Sequence, residues 1–103
     1  MLEIRETTEF LKILGERLRH ARVERNDTMK IFADRLGVSE GTVRDMERGA
    51  RTVQIGTWLN ALWMVDCLDD VRSILEPRES LIEKARMLAK RKTRIRAYPR
   101  LRG

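Results

Sequence analysis

The chain has 103 residues, of which 37% are charged, and a net charge of +6. This length allows one small domain with extensions and excludes an enzyme cleft between two large domains. No apolar run approaches the roughly 20 residues of a membrane-spanning helix, and residues 1–5 lack the apolar region of a signal peptide. The single cysteine, Cys67, has no disulfide partner in the chain, so we expect a reducing, cytoplasmic environment.

The first predicted elements are an N-terminal arm, residues 1–7, and a helix from Thr8 to about Glu24. Thr8 has a side chain suited to an N-cap. The residues that recur at helical spacing and are expected to face a core are Phe10, Leu14, Leu18 and Ala21. Asn26 and Asp27 form a turn signal, after which Thr28 is expected to cap the next helix.

Two short helices are predicted next, over residues 29–36 and 40–48. Gly37 lies where the first must end, and Ser39 is a suitable N-cap for the second. The residues expected to close the corner between them are Ile31, Phe32, Ala33, Leu36, Val38, Val43 and Met46. Two helices joined by a short glycine-containing turn form a helix-turn-helix, which presents its second helix to the DNA major groove.

A fourth helix is predicted from Gln54 to Val65, and a fifth from about Cys67 to a stop near Pro77. The apolar stripe of the fourth comprises Ile55, Leu59 and Leu62, and that of the fifth comprises Leu68, Val71, Ile74 and Leu75. Together these elements predict a helix-turn-helix DNA-binding domain over residues 8–77, to which the family resemblance described below adds dimerisation.

The basic residues are concentrated in a C-terminal extension, residues 78–103. This segment has 10 Lys or Arg and 2 Asp or Glu, whereas residues 1–77 have 12 and 14. Ser80 is expected to cap a helix from Leu81 to about Lys92, followed by a tail. Such a tail raises the affinity for phosphate backbones in a salt-dependent way without reading sequence.

Residues 14–65 contain a characteristic set of residues at fixed spacing: Arg22, Thr28, Ala33, Gly37, Val38, Ser39, Thr42, Val43, Glu47 and Gly49. In this set the chain resembles the Xre/Cro-type DNA-binding proteins. The resemblance implies an all-α bundle of about five helices that binds palindromic operators as a homodimer. The family commonly has glutamine after Thr28, where it helps to hold a phosphate. Met29 stands there instead, and Lys30 or Arg35 would have to replace that contact.

Carried over by position, the resemblance assigns base contacts to Ser39, Glu40, Gly41, Thr42, Arg44 and Asp45. Arg44 has the fork of donors that guanine O6 and N7 accept, while carboxylates accept from cytosine N4 and repel phosphates. Gly41 leaves room for close approach. We expect at least two of Glu40, Arg44 and Asp45 to contact bases. The alternative is that these charges only solvate an exposed helix face.

The expected phosphate contacts are Arg22, Lys30, Arg48, Arg51 and Thr52. For Arg48 and Arg51, an ordinary surface position is the alternative. The resemblance also implies a largely buried pair between Arg22 and Glu47, in which a guanidinium fork satisfies both carboxylate oxygens.

Nothing in the sequence indicates an enzyme, a cofactor or a metal site. His20 and Cys67 each lack a second histidine or cysteine that would complete a metal shell. The residues expected at a dimer or partner interface are Trp58, Trp63, Leu68, Val71 and Leu75. For Trp58 the core is an equal expectation, and for Trp63 the alternative is partial burial within the monomer.

Residues 55–77 and the basic segment after them resemble, less specifically, the C-terminal half of HipB-like antitoxins. Those proteins repress their own operon and bind a HipA-like kinase toxin. We therefore predict a bacterial or phage-encoded homodimeric repressor that is also such an antitoxin. Three alternatives stay open: a stand-alone phage or restriction-control regulator, a protein-interaction module whose DNA binding is secondary, and a sequence-independent nucleic-acid binder.

Overall fold

A computed structural model describes residues 2–77 and 85–89. In this part of the chain there are four α-helices, α1 (Arg5–Glu24), α2 (Met29–Leu36), α3 (Glu40–Arg48) and α4 (Ile55–Met64), and a 3-10 helix, Leu68–Val71. The predicted all-α, five-helix fold is confirmed, because these described residues contain no strand. None of these helices is both long enough and apolar enough to cross a membrane.

The chain divides into two compact units, residues 1–72 and 73–103. The first unit holds all the helices named above. In the second unit, residues 85–89 are helical and exposed, within the predicted helix at 81–92. The remainder of that predicted helix and the basic tail lie outside the described residues.

Helix α1 begins earlier than its sequence predicts. Ile4 occupies the N-cap position, and the Thr8 hydroxyl donates back to the Ile4 carbonyl at 3.4 Å. The prediction that Thr8 caps the helix was therefore wrong, and the described part of the arm is residues 2–4. Glu6 in the first turn and an Arg5–Glu9 ion pair at 3.2 Å favour the earlier start.

The turn between α2 and α3 was predicted correctly. The Thr28 hydroxyl accepts from the Ile31 backbone N–H at 3.1 Å, and the Ser39 hydroxyl accepts from that of Thr42 at 3.1 Å. Gly37 has a φ of +78° and ends α2 in the left-handed conformation. The two helices are thereby capped at the residues that the sequence indicates.

The core lies where these four helices meet. Its buried residues are Leu18, Phe32, Ala33, Val43, Met46, Trp58 and Ala61. Phe10 and Ile31 were expected to join it, but they are 52% and 41% exposed. The buried face of α1 is centred on Gly15 and Leu18, and Phe10 falls about 110° around the helix from that centre, outside the covered face.

Helix α1 crosses the C-terminal end of α3 at backbone contact distance. A Cβ atom added at Gly15 would lie 2.5 Å from the Glu47 carbonyl oxygen and 2.6 Å from that of Met46. Gly49, with a φ of +80°, ends α3 and lies against the backbone of Lys12, 2.8 Å from an added Cβ. Glycine at these positions lets α1 fix the end of α3 directly.

The predicted bounds of α4 differ from the observed ones by a single residue at each end. Of its predicted apolar stripe, Leu62 packs against the core, but Ile55 and Leu59 are 75% and 37% exposed, and Trp58 and Ala61 face the core instead. The periodic apolar residues fit two faces, and tertiary packing selects the one that carries the indole of Trp58.

The fifth helix is a 3-10 helix of four residues, Leu68–Val71, and not the longer helix predicted from about Cys67 to near Pro77. Asp66 takes a left-handed φ of +61° directly after α4, and Cys67 provides no side-chain cap. Leu75 also has a positive φ, of +66°, and Glu76 donates to the Ser73 carbonyl at 3.1 Å in a turn. These backbone conformations prevent a continuous helix.

Candidate nucleic-acid interface

Helix α3 has one buried face and one open face. Val43 and Met46 are fully buried, whereas Glu40 and Arg44 are exposed. Within the described residues, neither the Glu40 nor the Arg44 side chain has a hydrogen-bonding partner. The Glu40 carboxylate, which accepts hydrogen bonds, and the Arg44 guanidinium, which donates them, are four residues apart. Both are therefore accessible to a ligand on the same side of the helix.

Three other predicted base-contacting residues bond within the helix itself. The Ser39 hydroxyl caps the Thr42 N–H and lies 3.1 Å from the Thr42 hydroxyl. Arg48 donates to the Asp45 carboxylate at 2.6 Å, and both side chains remain partly exposed. Asp45 was expected to contact a base, and Arg48 a phosphate. In the unbound protein these two side chains are hydrogen-bonded to each other instead.

Arg22 and Glu47 meet in a two-pronged ion pair beneath α3. Arg22 Nε donates to Glu47 Oε2 at 2.6 Å, and its Nη2 donates to Oε1 at 3.1 Å. The third nitrogen, Nη1, donates to the Asp27 carbonyl at 2.8 Å. The Arg22 side chain is only 10% exposed, and these bonds engage all three of its nitrogens. Little of it is left for the phosphate contact that the sequence suggests.

The hydrogen bond to Glu47 raises the pKa of the Arg22 guanidinium above its ordinary value, and the nearby Glu47 and Asp27 charges act in the same direction. Burial opposes this shift without reversing it. Arg22 therefore carries its positive charge in the fold, and the charge-assisted bonds tie α1 to the end of α3.

The remaining predicted phosphate contacts are placed differently from one another. Lys30 and Thr52 are exposed, with Lys30 in a 3.4 Å surface pair with Asp34. Arg51 is half-buried, and its guanidinium donates to the Thr8 hydroxyl at 3.2 Å and to the Leu2 carbonyl at 2.9 Å. Arg51 therefore holds the loop after α3 against the start of α1.

Met29 stands at the position where the Xre/Cro-type family commonly has a glutamine that holds a phosphate. Met29 is partly buried and packs against the core. Arg35, one proposed replacement for the phosphate contact, donates to the buried Asp27 carboxylate at 3.3 Å. Lys30 is thus the more open of the two candidates for that phosphate.

A family model for the helix-turn-helix domain matches residues 13–73, more than half of the chain. The chain belongs to the helix-turn-helix domain family. Members of this structural class bind DNA through the second helix of the motif, which here is α3. Comparisons of this helix-turn-helix protein with curated proteins and with solved structures give no significant match.

Three positions in this helix-turn-helix domain were missed by sequence reasoning. Gly15 allows the contact between α1 and α3. A glycine inside a helical pattern often indicates such close packing, so the sequence did contain a signal for this contact. The buried Asp27 accepts from Arg35, and Arg25 donates to the Met64 carbonyl at 2.6 Å and to Asp66 at 3.2 Å. No local pattern in the sequence indicates these long-range bonds.

The predicted interface residues divide into buried and exposed groups. Trp58 is 8% exposed and belongs to the core, one of the two roles expected for it. Leu68 and Val71 are half-buried on the 3-10 helix, and Leu75 is 94% exposed in the second unit. Trp63 is 67% exposed on α4, so burial within the described part of the monomer does not account for it.

The outer face of α4 carries no charge. Its exposed residues are Ile55, Gly56, Leu59, Asn60 and Trp63, and none of the ten residues of α4 is ionisable. In a chain with 37% charged residues, an exposed helix face of this composition is typical of a protein–protein contact.

An open cleft of about 410 Å³ lies beside Trp63. The residues that line it are Arg25, Asp27, Phe32, Arg35, Trp63, Met64 and Asp66. Within the described residues, no group of three or more His, Cys, Asp or Glu side chains is arranged to hold a metal ion.

Proposed function

We propose that this helix-turn-helix protein is a sequence-specific transcriptional repressor that binds palindromic operators as a homodimer. The observation that carries the proposal is the open face of α3. Glu40 and Arg44 are exposed there without side-chain partners in the described residues, on a helix fixed by the Arg22–Glu47 pair. Side chains of these types read base edges in the major groove.

The uncharged face of α4 supports the homodimer. In a twofold contact between two copies of the same chain, residues near the symmetry axis meet their own copies, so an uncharged surface there avoids like-charge repulsion. Gly56 adds no side chain to this face, which allows two helices to approach closely. Two α3 helices would then enter successive major grooves about 34 Å apart.

We also propose that the repressor is a cytoplasmic antitoxin, with no enzymatic activity of its own, that binds a HipA-like kinase toxin. The support is the HipB-like pattern of residues 55–77 together with the cleft beside Trp63, which adds a second surface for a protein partner. A stand-alone regulator is the competing function. An adjacent kinase-like gene whose product forms a stoichiometric complex with this chain would favour the antitoxin.

Selection of duplexes from a random library by the full chain tests the repressor proposal. We expect recovery of an inverted repeat with half-sites one helical turn apart. The Arg44→Ala variant should lose preference at one base pair per half-site. Arg19→Ala is the matched control, because Arg19 is an exposed arginine on α1, away from the motif. Recovery of no preferred sequence would contradict the proposal and favour binding through the basic extension.

A further inference from the structure

Three of the glycines in the first unit, residues 1–72, are required by the fold, and Gly41 is not one of them. Gly15 is required by the 2.5 Å approach of the Glu47 carbonyl, and Gly37 and Gly49 by their positive φ. A methyl group added at Gly41 would meet only the Ser39 hydroxyl, at an ordinary contact distance of 3.6 Å. Glycine weakens a helix relative to alanine, so its presence at position 41 has no explanation within the described residues.

Gly41 lies on the open face of α3. With a rotation of about 100° per residue, Glu40, Arg44 and Gly41 share an arc of about 100°, and Arg44 lies between the other two. A surface that approaches this arc therefore meets a carboxylate, then a guanidinium, then a position without a side chain.

The chemistry of the major groove suggests what fits against Gly41. The base edges there present hydrogen-bond donors and acceptors, which Glu40 and Arg44 match, and one apolar group, the 5-methyl group of a pyrimidine. The Cα of glycine is an apolar surface, and any side chain at position 41 would occupy the space outside it.

We infer that Gly41 is a specificity-determining residue that receives the 5-methyl group of a pyrimidine in each half-site, next to the base that Arg44 contacts. This inference rests on the proposed DNA-binding function and adds to it a preference for one chemical group. Thymine and 5-methylcytosine both carry that group, so the experiment must compare the two sources.

The probe is the duplex that wild-type protein selects from the random library, resynthesised with single changes. In one set each thymine is replaced in turn by deoxyuridine, and in the other each cytosine is replaced by 5-methylcytosine. At one position per half-site, loss of the methyl group should weaken binding about fourfold, which corresponds to about 0.8 kcal/mol for one buried methyl-sized group. If that position holds cytosine, methylation should strengthen binding by the same factor.

The Gly41→Ala variant should bind the methylated and unmethylated duplexes equally at that position. Arg19→Ala is the control, because Arg19 is exposed on α1, outside α3 and the uncharged face of α4, and the variant should leave the discrimination intact. Circular dichroism and thermal unfolding establish that both variants are folded, as the open space at Gly41 and the exposure of Arg19 predict.

Two results overturn the inference while leaving sequence-specific binding in place. One is a wild-type protein that is insensitive to the methyl group at every position. The other is a Gly41→Ala variant that keeps the wild-type response to the methyl group or weakens all duplexes uniformly, as a methyl group that obstructs a backbone contact to phosphate would do. Failure to select any duplex is a separate result, which overturns the proposed function and this inference with it.

Discussion

Gly15 in α1 lies directly against the backbone carbonyl of Glu47 in α3, so close that an added Cβ atom would stand 2.5 Å from the oxygen. The contact joins α1 to the C-terminal end of α3, the helix whose open face carries Glu40 and Arg44. Because neither partner is a flexible side-chain end, the two backbones would have to separate to admit a methyl group.

We therefore expect Gly15→Ala to destabilise the fold by about 3 kcal/mol through overpacking. Thermal unfolding should show the loss, at about 4–8 °C per kcal/mol for a domain of this size. Gly41→Ala is the control, because a methyl group there meets only the Ser39 hydroxyl at 3.6 Å, and it should be neutral or stabilising by up to about 1 kcal/mol. An equal effect of the two changes would mean that α1 and α3 do not make this close contact.

A second prediction concerns the Arg22–Glu47 pair, whose side chains are 10% and 6% exposed. Glu47→Ala leaves a buried guanidinium without its carboxylate and should cost about 3–5 kcal/mol of stability, with a loss of DNA affinity. An unchanged melting temperature would contradict this.

The double variant Arg22→Met with Glu47→Leu removes both charges and should recover much of that stability, since buried pairs are often replaceable by apolar residues. A double-mutant cycle measures the coupling between the two side chains. If the double variant is as unstable as the sum of the single variants, the pair is not coupled as its geometry indicates.

The local parts of this fold could be predicted from the sequence. Thr28, Ser39 and Gly37 act on their immediate neighbours, so the bounds of α2 and α3 follow from capping and glycine chemistry alone. The exposed faces of α1 and α4 could not be predicted in this way. Phe10 and Ile55 have the right spacing for a core, but burial depends on which face the other helices cover.

The candidate site divides along the same line. That α3 exposes Glu40 and Arg44 follows from helical periodicity, whereas the Asp45–Arg48 bond depends on side-chain rotamers that the sequence leaves open. Asp66, with a φ of +61°, lies between α4 and the 3-10 helix, where the sequence also predicts a break. The type and length of the fifth helix depend on backbone angles that no local pattern indicates.

A third prediction distinguishes Arg44 from Arg48. Arg44 has no partner among the described residues, so Arg44→Ala should relax selectivity at one base pair and weaken binding to the preferred duplex by about 10- to 100-fold. Arg48 is already bonded to Asp45, and Arg48→Ala should weaken all duplexes by a similar, smaller factor. Competition binding against single-base variants measures both. A uniform loss for Arg44→Ala would reassign it to phosphate.

A fourth prediction concerns the uncharged face of α4. The proposed homodimer should dissociate into monomers in sedimentation experiments when Trp63 is replaced by alanine or Leu59 by aspartate, because both side chains are exposed on that face. Phe10→Ala is the control, since Phe10 is an exposed aromatic residue on α1. The proposed interface is wrong if the Phe10 variant dissociates and the α4 variants do not.

The last prediction separates sequence reading from attraction to phosphate. Deletion of residues 93–103 removes four arginines, Arg94, Arg96, Arg100 and Arg102. The slope of log affinity against log salt falls by about 0.9 for each arginine that no longer neutralises a phosphate, so the slope should fall by at most about 3.6. The truncated protein should bind all duplexes more weakly and keep its preference for the selected duplex, because the open face of α3 is unchanged. If the preference disappears with the tail, the extension and not α3 is the source of specificity.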